Sequence, residues 1–375
     1  MTGVIKIPYI NLSQQHDAIK DKLMTAVEKV IGHGQFVLGP EVEEFESRFA
    51  LFCGTKYAVG VGNGTDALIM ALKAAGIGPG DEVISVANTF ISTISSIALV
   101  GAKPVLVDVR DDYNIDPDLI EKAITKRTKA ILPVHLTGRP ADMDPIMGIA
   151  KKHGLKVIED CAQAVGAEYK GKKVGTFGDI GVFSLHPLKT LNACGDGGVA
   201  VTNDKEIQEM LATYRDNGMK NRGEYVVWSS NSRLDTIQAA MLLVKLDHFE
   251  KWTEKRIANA KFYQKAFSHL NVVRFPVEHP YEKSVYHTFV IQADRRDALS
   301  SFLAEKGIGT KIHYPIPVHL QPAARQLGYK KGDLPRTEQQ SQNILSLPVY
   351  PELNQENLGY IVQSIEEFYK GRGGS

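Results

Sequence analysis

The chain has 375 residues, 43% of them apolar, and its 44 Lys and Arg against 43 Asp and Glu leave a net charge of +1. A length of this order buries a large core and suits two structural domains, while near-neutral charge gives no electrostatic reason to expect a nucleic acid or a membrane surface as partner. No apolar run reaches the roughly 18 residues of a membrane span, and the N-terminal MTGVIKIPYINLSQQHD lacks the charged-then-apolar order of a secretion signal, so a cytoplasmic protein is expected.

Apolar periodicity predicts a strand over 57–61, a helix over 65–75, a strand over 82–86, a helix over 90–100 and a strand over 104–109. A helix over 117–124, a strand over 130–134, a helix over 145–153 and strands over 155–159 and 180–185 follow. This alternation implies a parallel-rich sheet covered by helices, with binding at the strands' carboxyl ends. Beyond Asp235 a long helical pattern runs through AAMLLVKLDHFEKWTEKRIANAKFYQKAFSHL and leaves the main sheet. A boundary near Phe249 divides a large domain, 1–249, from a smaller α+β domain, 250–370, which has a strand over 284–292, a helix over 296–307 and the Pro-rich HYPIPVHLQP. The terminal GRGGS, 371–375, reads as a cloning remnant.

The segment VIEDCAQAVGAEYKGKKVGTFGDIGVFSLHPLKTLNACGDGGV carries the chemistry. Asp160 stands at the carboxyl end of a buried strand, Gln163 three residues on, Ser184 near the end of the next strand, and Lys189 in a loop rich in Gly and Asn. These are the groups a pyridoxal phosphate site needs. A carboxylate beside the pyridine nitrogen keeps it protonated and makes the ring an electron sink. The Gln163 amide can donate to the ring's phenolic oxygen and the Ser184 hydroxyl to the phosphate. Lys189, in a partly dry pocket near a cationic ring, becomes a nucleophilic amine, holds the cofactor's aldehyde and later carries a proton between carbons. The plain alternatives are that Asp160 caps the turn after it and that Lys189 is a solvated charge.

Five separated fragments, GNGTDAL at 62–68, NTF at 88–90, VIEDCAQAVGA, SLHPLKTLNACGDGG and NSRLD at 231–235, together resemble the DegT/StrS family of sugar aminotransferases, in that family's order. The resemblance implies the pyridoxal-phosphate-dependent transferase fold type I, an α/β fold with a mostly parallel seven-stranded sheet in the large domain and a smaller α+β C-terminal domain. It implies pyridoxal 5'-phosphate as cofactor, glutamate as the usual donor and a nucleotide-linked ketosugar as acceptor. Lys189 matches the family's Schiff-base lysine, Asp160 the partner of the pyridine nitrogen, and Gln163 the donor to the cofactor oxygen. Ser184, Gly64 and Thr65 match phosphate ligands, and Phe90 an aromatic lying against the ring. Asn231 matches a residue that reaches the neighbouring subunit's phosphate, which implies a homodimer with shared sites. Gly64 and Thr65 also sit where a strand turns into a helix, and free N–H groups there suit an anion; an ordinary turn capped by Thr65 or Asp66 is the alternative.

Substrate contacts are expected from His186, Arg233, His313 and Tyr314, with Lys220, Arg222, Lys311 and Arg325 as candidates for a patch that binds an anionic sugar nucleotide. GDGG, NSRLD and His313-Tyr314-Pro315 resemble enzymes that aminate C3, whereas His186 resembles those acting at C4; C3 is preferred, with a 4-ketosugar or a cyclitol ketone as the alternative. A dehydratase of this family has histidine in place of the lysine, and Lys189 speaks against it. A nicotinamide fingerprint fails because Thr65 stands where its last glycine belongs. A regulatory protein that binds the cofactor without turnover is a further alternative. Cys53, Cys161 and Cys194 are too few and scattered for a disulfide framework or a zinc site, so no metal is expected, and packing is their expected role.

Overall fold

Seven short apolar runs form strands because both their faces are buried: β1 Tyr57–Val61, β2 Glu82–Val86, β3 Lys103–Val107, β4 Thr128–Ile131, β5 Lys156–Asp160, β6 Ile180–Ser184 and β7 Gly198–Thr202. They make one sheet in the order β1-β7-β6-β5-β4-β2-β3, in which only β7 runs antiparallel to its neighbours. The computed structural model describes residues 6–370; the 371–375 remnant and the first residues of the N-terminal segment lie outside them. Among the described residues no helix is long and apolar enough to cross a membrane.

Register decides where the site is. Val61 and Ser184 both stand opposite Gly198, and Asp160 lies beside Val182, so the ends of β1, β5 and β6 and the start of β7 share one edge. The loops beginning at Gly62 and Cys161, and the one that runs from Leu185 through Gly195, therefore open on one side, as ligand-binding loops of doubly wound sheets do. Helix α1, Gly64–Ala74, follows β1, and helix α2, Ile91–Leu99, follows β2. Glycine is required twice here for closeness rather than for flexibility. A Cβ on Gly64 would stand 2.7 Å from the Ser184 Cβ, and one on Gly198 would stand 2.5 Å from the Asn63 carbonyl carbon.

Helix α3, Thr236–Phe267, links two cores. Ala239, Leu242 and Phe249 pack with Phe45, Phe49 and Phe183 of the large unit, whereas Ala260, Tyr263 and Phe267 pack with Phe289, Leu345 and Ile361 of the small one. The small unit has a three-stranded antiparallel sheet, Val273–Arg274, Phe289–Ala293 and Ile344–Leu347, covered by helices Arg296–Glu305 and Gln355–Lys370. Ile7 lies in this second core and bridges to Ile308, so the N-terminal segment belongs with the C-terminal unit, although it was expected in a large domain over 1–249.

Two strand expectations change. The strand expected over 284–292 begins only at Phe289, because Val285 and Thr288 donate to the carbonyls of Gly138 and Thr137 in the large unit instead of to a neighbouring strand. Strand β7 had no counterpart in the sequence reading. The other expected elements fall within a few residues of their expected ends, whereas helices Lys20–His33, Pro40–Cys53, Lys205–Arg215 and Gln355–Lys370 and strand Ile344–Leu347 also had no counterpart.

Candidate active site

Asp160 ends β5 and is 4% exposed. Its two oxygens have separate tasks. Oδ1 accepts the Ala162 N–H at 3.1 Å, which is the local turn bond that residue type alone suggests, while Oδ2 accepts the Thr93 hydroxyl at 2.8 Å. Thr93 is braced by Thr89 at 2.7 Å. No cation is in ion-pair range of the carboxylate among the described residues, and burial raises its pKa against the pull of Thr93, Ala162, Lys189 and His135. A buried anion without a counter-charge suits a cationic ring nitrogen.

Gln163 is oriented by its backbone neighbour. Thr137 N–H donates to Oε1 at 2.7 Å, so the NH2 faces the cleft, 3.2 Å from the Tyr314 hydroxyl. Tyr314 lies beside Phe90, with ring centroids 5.8 Å apart. Phe90 is the extended residue before α2 rather than its first turn, and it is 51% exposed. An aromatic left half open at the cleft has a free face for a flat ring.

The anion cradle forms where α1 begins. Its cap is Asn63, not Thr65 or Asp66, because the Asn63 side chain accepts the Asp66 N–H at 2.9 Å. Gly64 and Thr65 thus occupy the first turn with N–H groups that have no helical acceptor, Thr65 Oγ1 donates to Ser92 at 2.8 Å, and Ser184 packs against Gly64. The absence of a Cβ at Gly64, the free first turn and the two hydroxyls fit a phosphate; Asp160, Gln163 and Phe90 fit the ring attached to it.

Lys189 closes this edge. Its N–H donates to His186 O at 2.8 Å, and its carbonyl accepts from Asn192 Nδ2 at 3.0 Å. Burial lowers its pKa to about 8, against the opposing attraction of Asp160. His186 is exposed, and its Nδ1 accepts the Leu188 N–H at 3.2 Å, so the ring organises the lysine turn and leaves only Nε2 for a ligand. His313 contributes from the small unit. Its Nδ1 meets Ser346 Oγ at 2.9 Å, and burial, with Lys189 and Lys311 nearby, lowers its pKa to about 4, leaving it neutral at physiological pH.

Arg233 lies just before α3 and is paired with Asp216 at 2.9 Å. Its neighbour Ser232 anchors the NSRLD run to the cradle, donating to Asp66 at 2.6 Å and accepting the Gly62 N–H at 3.1 Å. Asn231 is exposed on the same run, beside a cavity lined by Gly62, Asn63 and Asp66. The proposed cationic patch is dispersed: Lys220 and Arg222 sit at an exposed hairpin, Lys311 beside His313, and Arg325 in a short 3-10 helix.

Cys53 and Cys161 are buried as expected, but Cys194 is exposed, and its sulfur accepts from the buried Lys245 ammonium at 3.4 Å. His135, Glu159 and Cys161 form a compact buried group in which Glu159 accepts from Gly175, Phe177 and Gly178 as well as His135, whose other nitrogen takes the Ala141 N–H. These bonds engage the group fully in holding the loop after β5. Thr93, Thr137, Tyr9, Arg256 and His287 were missed in the sequence. None has a local motif, and each meets the site only through tertiary contacts.

The chain resembles known proteins over nearly its whole length. Residues 17–366 match the DegT/DnrJ/EryC1/StrS aminotransferase family. A pleiotropic regulatory protein of Geobacillus stearothermophilus is 46% identical over 98% of this chain and 99% of its own. The dTDP-3-amino-3,4,6-trideoxy-alpha-D-glucose transaminase of Streptomyces venezuelae is 41% identical over 97% and 96%. Among solved structures, S. venezuelae DesV in complex with a ketimine intermediate superposes with a TM-score of 0.95 at 41% identity, covering 96% of this chain and 98% of that one. NtdA of Bacillus subtilis with bound PMP superposes with a TM-score of 0.92 at 30% identity, covering 98% and 86%. The chain belongs to the DegT/DnrJ/EryC1/StrS family and is an aminotransferase that works with pyridoxal phosphate.

Proposed function

We propose that this enzyme takes the amino group of an amino acid, glutamate foremost, and delivers it to the C3 ketone of a nucleotide-linked sugar in the synthesis of deoxyamino sugars. The observation that carries the reading is a buried carboxylate without a counter-ion, Asp160, on the same edge as a lysine amine lowered to about 8, Lys189. Pyridoxal phosphate, when bound, supplies an aldehyde for the amino group and a ring that takes up electrons from the carbon losing its proton. Lys189 would hold that aldehyde at rest, and its freed Nζ would move the donor carbon's proton to the cofactor carbon and, in the second half, a proton from the cofactor carbon to the sugar carbon. Asp160 keeps the ring nitrogen charged, Gln163 Nε2 donates to the ring oxygen, and Phe90 lies against the ring face. Gly64, Thr65 and Ser184 hold the phosphate, and Asn231 completes the same cradle in a second copy, which makes the working unit a homodimer.

Support for C3 comes from GDGG and NSRLD, and from the names of relatives in Streptomyces venezuelae, Aneurinibacillus thermoaerophilus and Acidithiobacillus ferrooxidans, which refer to amination at C3 of dTDP- or UDP-linked sugars. His186 Nε2, His313 and Tyr314 face the acceptor. The test is mass spectrometry of products from a panel of 3-keto and 4-keto nucleotide sugars and a keto-inositol, with glutamate as donor. A 3-amino product from wild type, lost in Lys189→Ala, is expected; amination only at C4, or only of the cyclitol, overturns the assignment.

A further inference from the structure

Next to the lysine turn lies a cavity of about 50 Å³ that shares only His313 with the roles given above. Tyr9, Arg256, His287, His313 and Tyr350 line it, and Leu188 closes it on the Lys189 side. Three polar atoms of these residues are buried without a hydrogen-bond partner among the described residues: Tyr9 Oη, Arg256 Nε and His287 Nδ1. Arg256 is 4% exposed, and its one protein acceptor among the described residues is the Tyr286 carbonyl at 3.5 Å. Glu352 is near enough to favour its charge, yet no carboxylate is in ion-pair range among the described residues. Burial lowers the guanidinium to about 10, so it is still a cation at neutral pH.

Native proteins leave few buried polar atoms unpaired, and this space is lined by residues that carry three: the Tyr9 hydroxyl and the Arg256 Nε–H donate, and His287 Nδ1 donates in the tautomer that places the ring proton there, a set that suits a ligand that accepts hydrogen bonds. A buried cation further selects an anion. Size selects which anion: the cavity has room for about four water-sized groups, enough for a carboxylate and too little for a sugar or a diphosphate. Position selects the substrate. Leu188, the residue before Lys189, lines the cavity, so it adjoins the turn that carries the amine at which an amino-acid donor reacts.

We propose that this cavity binds a carboxylate of the amino-acid donor, with Arg256 as its cation and Tyr9 and His287 as its hydrogen-bond partners. The inference rests on the aminotransferase reading of Lys189, and it adds residues from three distant segments to the donor's site. Donor specificity is then set by the long helix between the two units and by the N-terminal segment, not by the strand-edge loops that hold the cofactor.

The test uses holoenzyme and the variants Arg256→Gln, Arg256→Lys and Tyr9→Phe, each checked for folding by its melting temperature. Calorimetry measures the binding of succinate, which has carboxylates and no amine. Absorbance of the cofactor follows the half-reactions with glutamate, with alanine and with the ketosugar separately. A charged hydrogen-bonded contact is worth roughly tenfold to a hundredfold in affinity, so Arg256→Gln is expected to weaken succinate by that factor and to slow the donor half-reaction more than the sugar half-reaction. Arg256→Lys recovers part of both, and Tyr9→Phe loses less. Equal losses with glutamate and alanine assign the cavity to the α-carboxylate, and a loss with glutamate alone assigns it to the side-chain carboxylate. Failure of wild type to bind succinate, unchanged binding in any folded Arg256 variant, or equal losses in both half-reactions overturns the proposal. Should wild-type holoenzyme show no spectral change with any amino acid, the aminotransferase reading itself fails, which is a separate result.

Discussion

Replacing Asp160 by Asn separates two effects of one carboxylate, because they move in opposite directions. With its pKa at about 8 rather than the ordinary 10.5, about one Lys189 in ten is a free amine at neutral pH, against about one in three thousand. Burial causes that shift and Asp160 opposes it by favouring the ammonium. Asparagine keeps the shape and removes the charge, so the Lys189 pKa falls further, by roughly 1 unit for loss of one opposite charge. Cofactor capture by apo-enzyme, followed by stopped-flow absorbance across pH, therefore has its midpoint near 8 in wild type and lower in Asp160→Asn. Turnover moves the other way: loss of the charge beside the ring nitrogen costs about 1–3 pKa units of ring protonation, or roughly tenfold to a thousandfold in rate. Thr93→Val, which removes one donor to the carboxylate and no charge, gives a smaller loss of turnover with little change in the capture midpoint. A midpoint that rises in Asp160→Asn, or turnover within twofold of wild type, refutes the coupling of these two groups.

Gly64→Ala forces the start of α1 away from Ser184, since its Cβ has only 2.7 Å to the Ser184 Cβ; overpacking of this kind costs about 1–3 kcal/mol, and both the melting temperature and fluorescence-measured cofactor affinity fall. Mixing Lys189→Ala subunits with Asn231→Asp subunits restores about a quarter of the sites if each site takes its lysine from one protomer and its asparagine from the other; no recovery after subunit exchange rules out sharing. Glu82 is held below its ordinary 4.5 by Thr125 and Arg127, a folded-state depression that stabilises above the unfolded pKa and is lost as pH falls through the folded one. Glu82→Gln accordingly lowers the melting temperature at pH 7, and the gap from wild type closes as carboxylates protonate in acid.

Local rules made most of the large sheet readable. Each of its parallel strands is a short apolar run between helical periods, and burial on both faces permits such a run. Asp160, Gln163, Ser184 and Lys189 were also visible, because all four fall on two adjacent strands and the turns that leave them, so sequence proximity already implied a shared edge. Strand β7 was missed because GVAVT follows a glycine-rich loop with no turn signal for pairing with β6, and its other partner, β1, lies more than a hundred residues upstream. The pairing of Arg233 was not legible for a related reason: its partner Asp216 ends another helix, and no spacing rule connects them. The strand over 284–292 is the reverse case, where local propensity was right about residue type and tertiary pairing with Thr137 and Gly138 took half the segment.

The same pairing explains how two cores serve one reaction. The backbone of 285–288 is hydrogen-bonded to the turn whose Thr137 N–H orients Gln163, and Tyr314, from the small unit, meets the other end of that amide. Gln163 is thereby fixed from both sides, and a shift of the small unit relative to the large sheet changes its orientation along with the position of His313 and His287. Helix α3 fixes that relation rigidly, because it is continuous through both cores and carries Phe249 in one and Tyr263 in the other. The strand-edge loops and the small unit's histidines are consequently held as one constellation. A substitution deep in α3, far from the cleft, should alter catalysis through the geometry of Gln163 before it removes any group that touches a substrate.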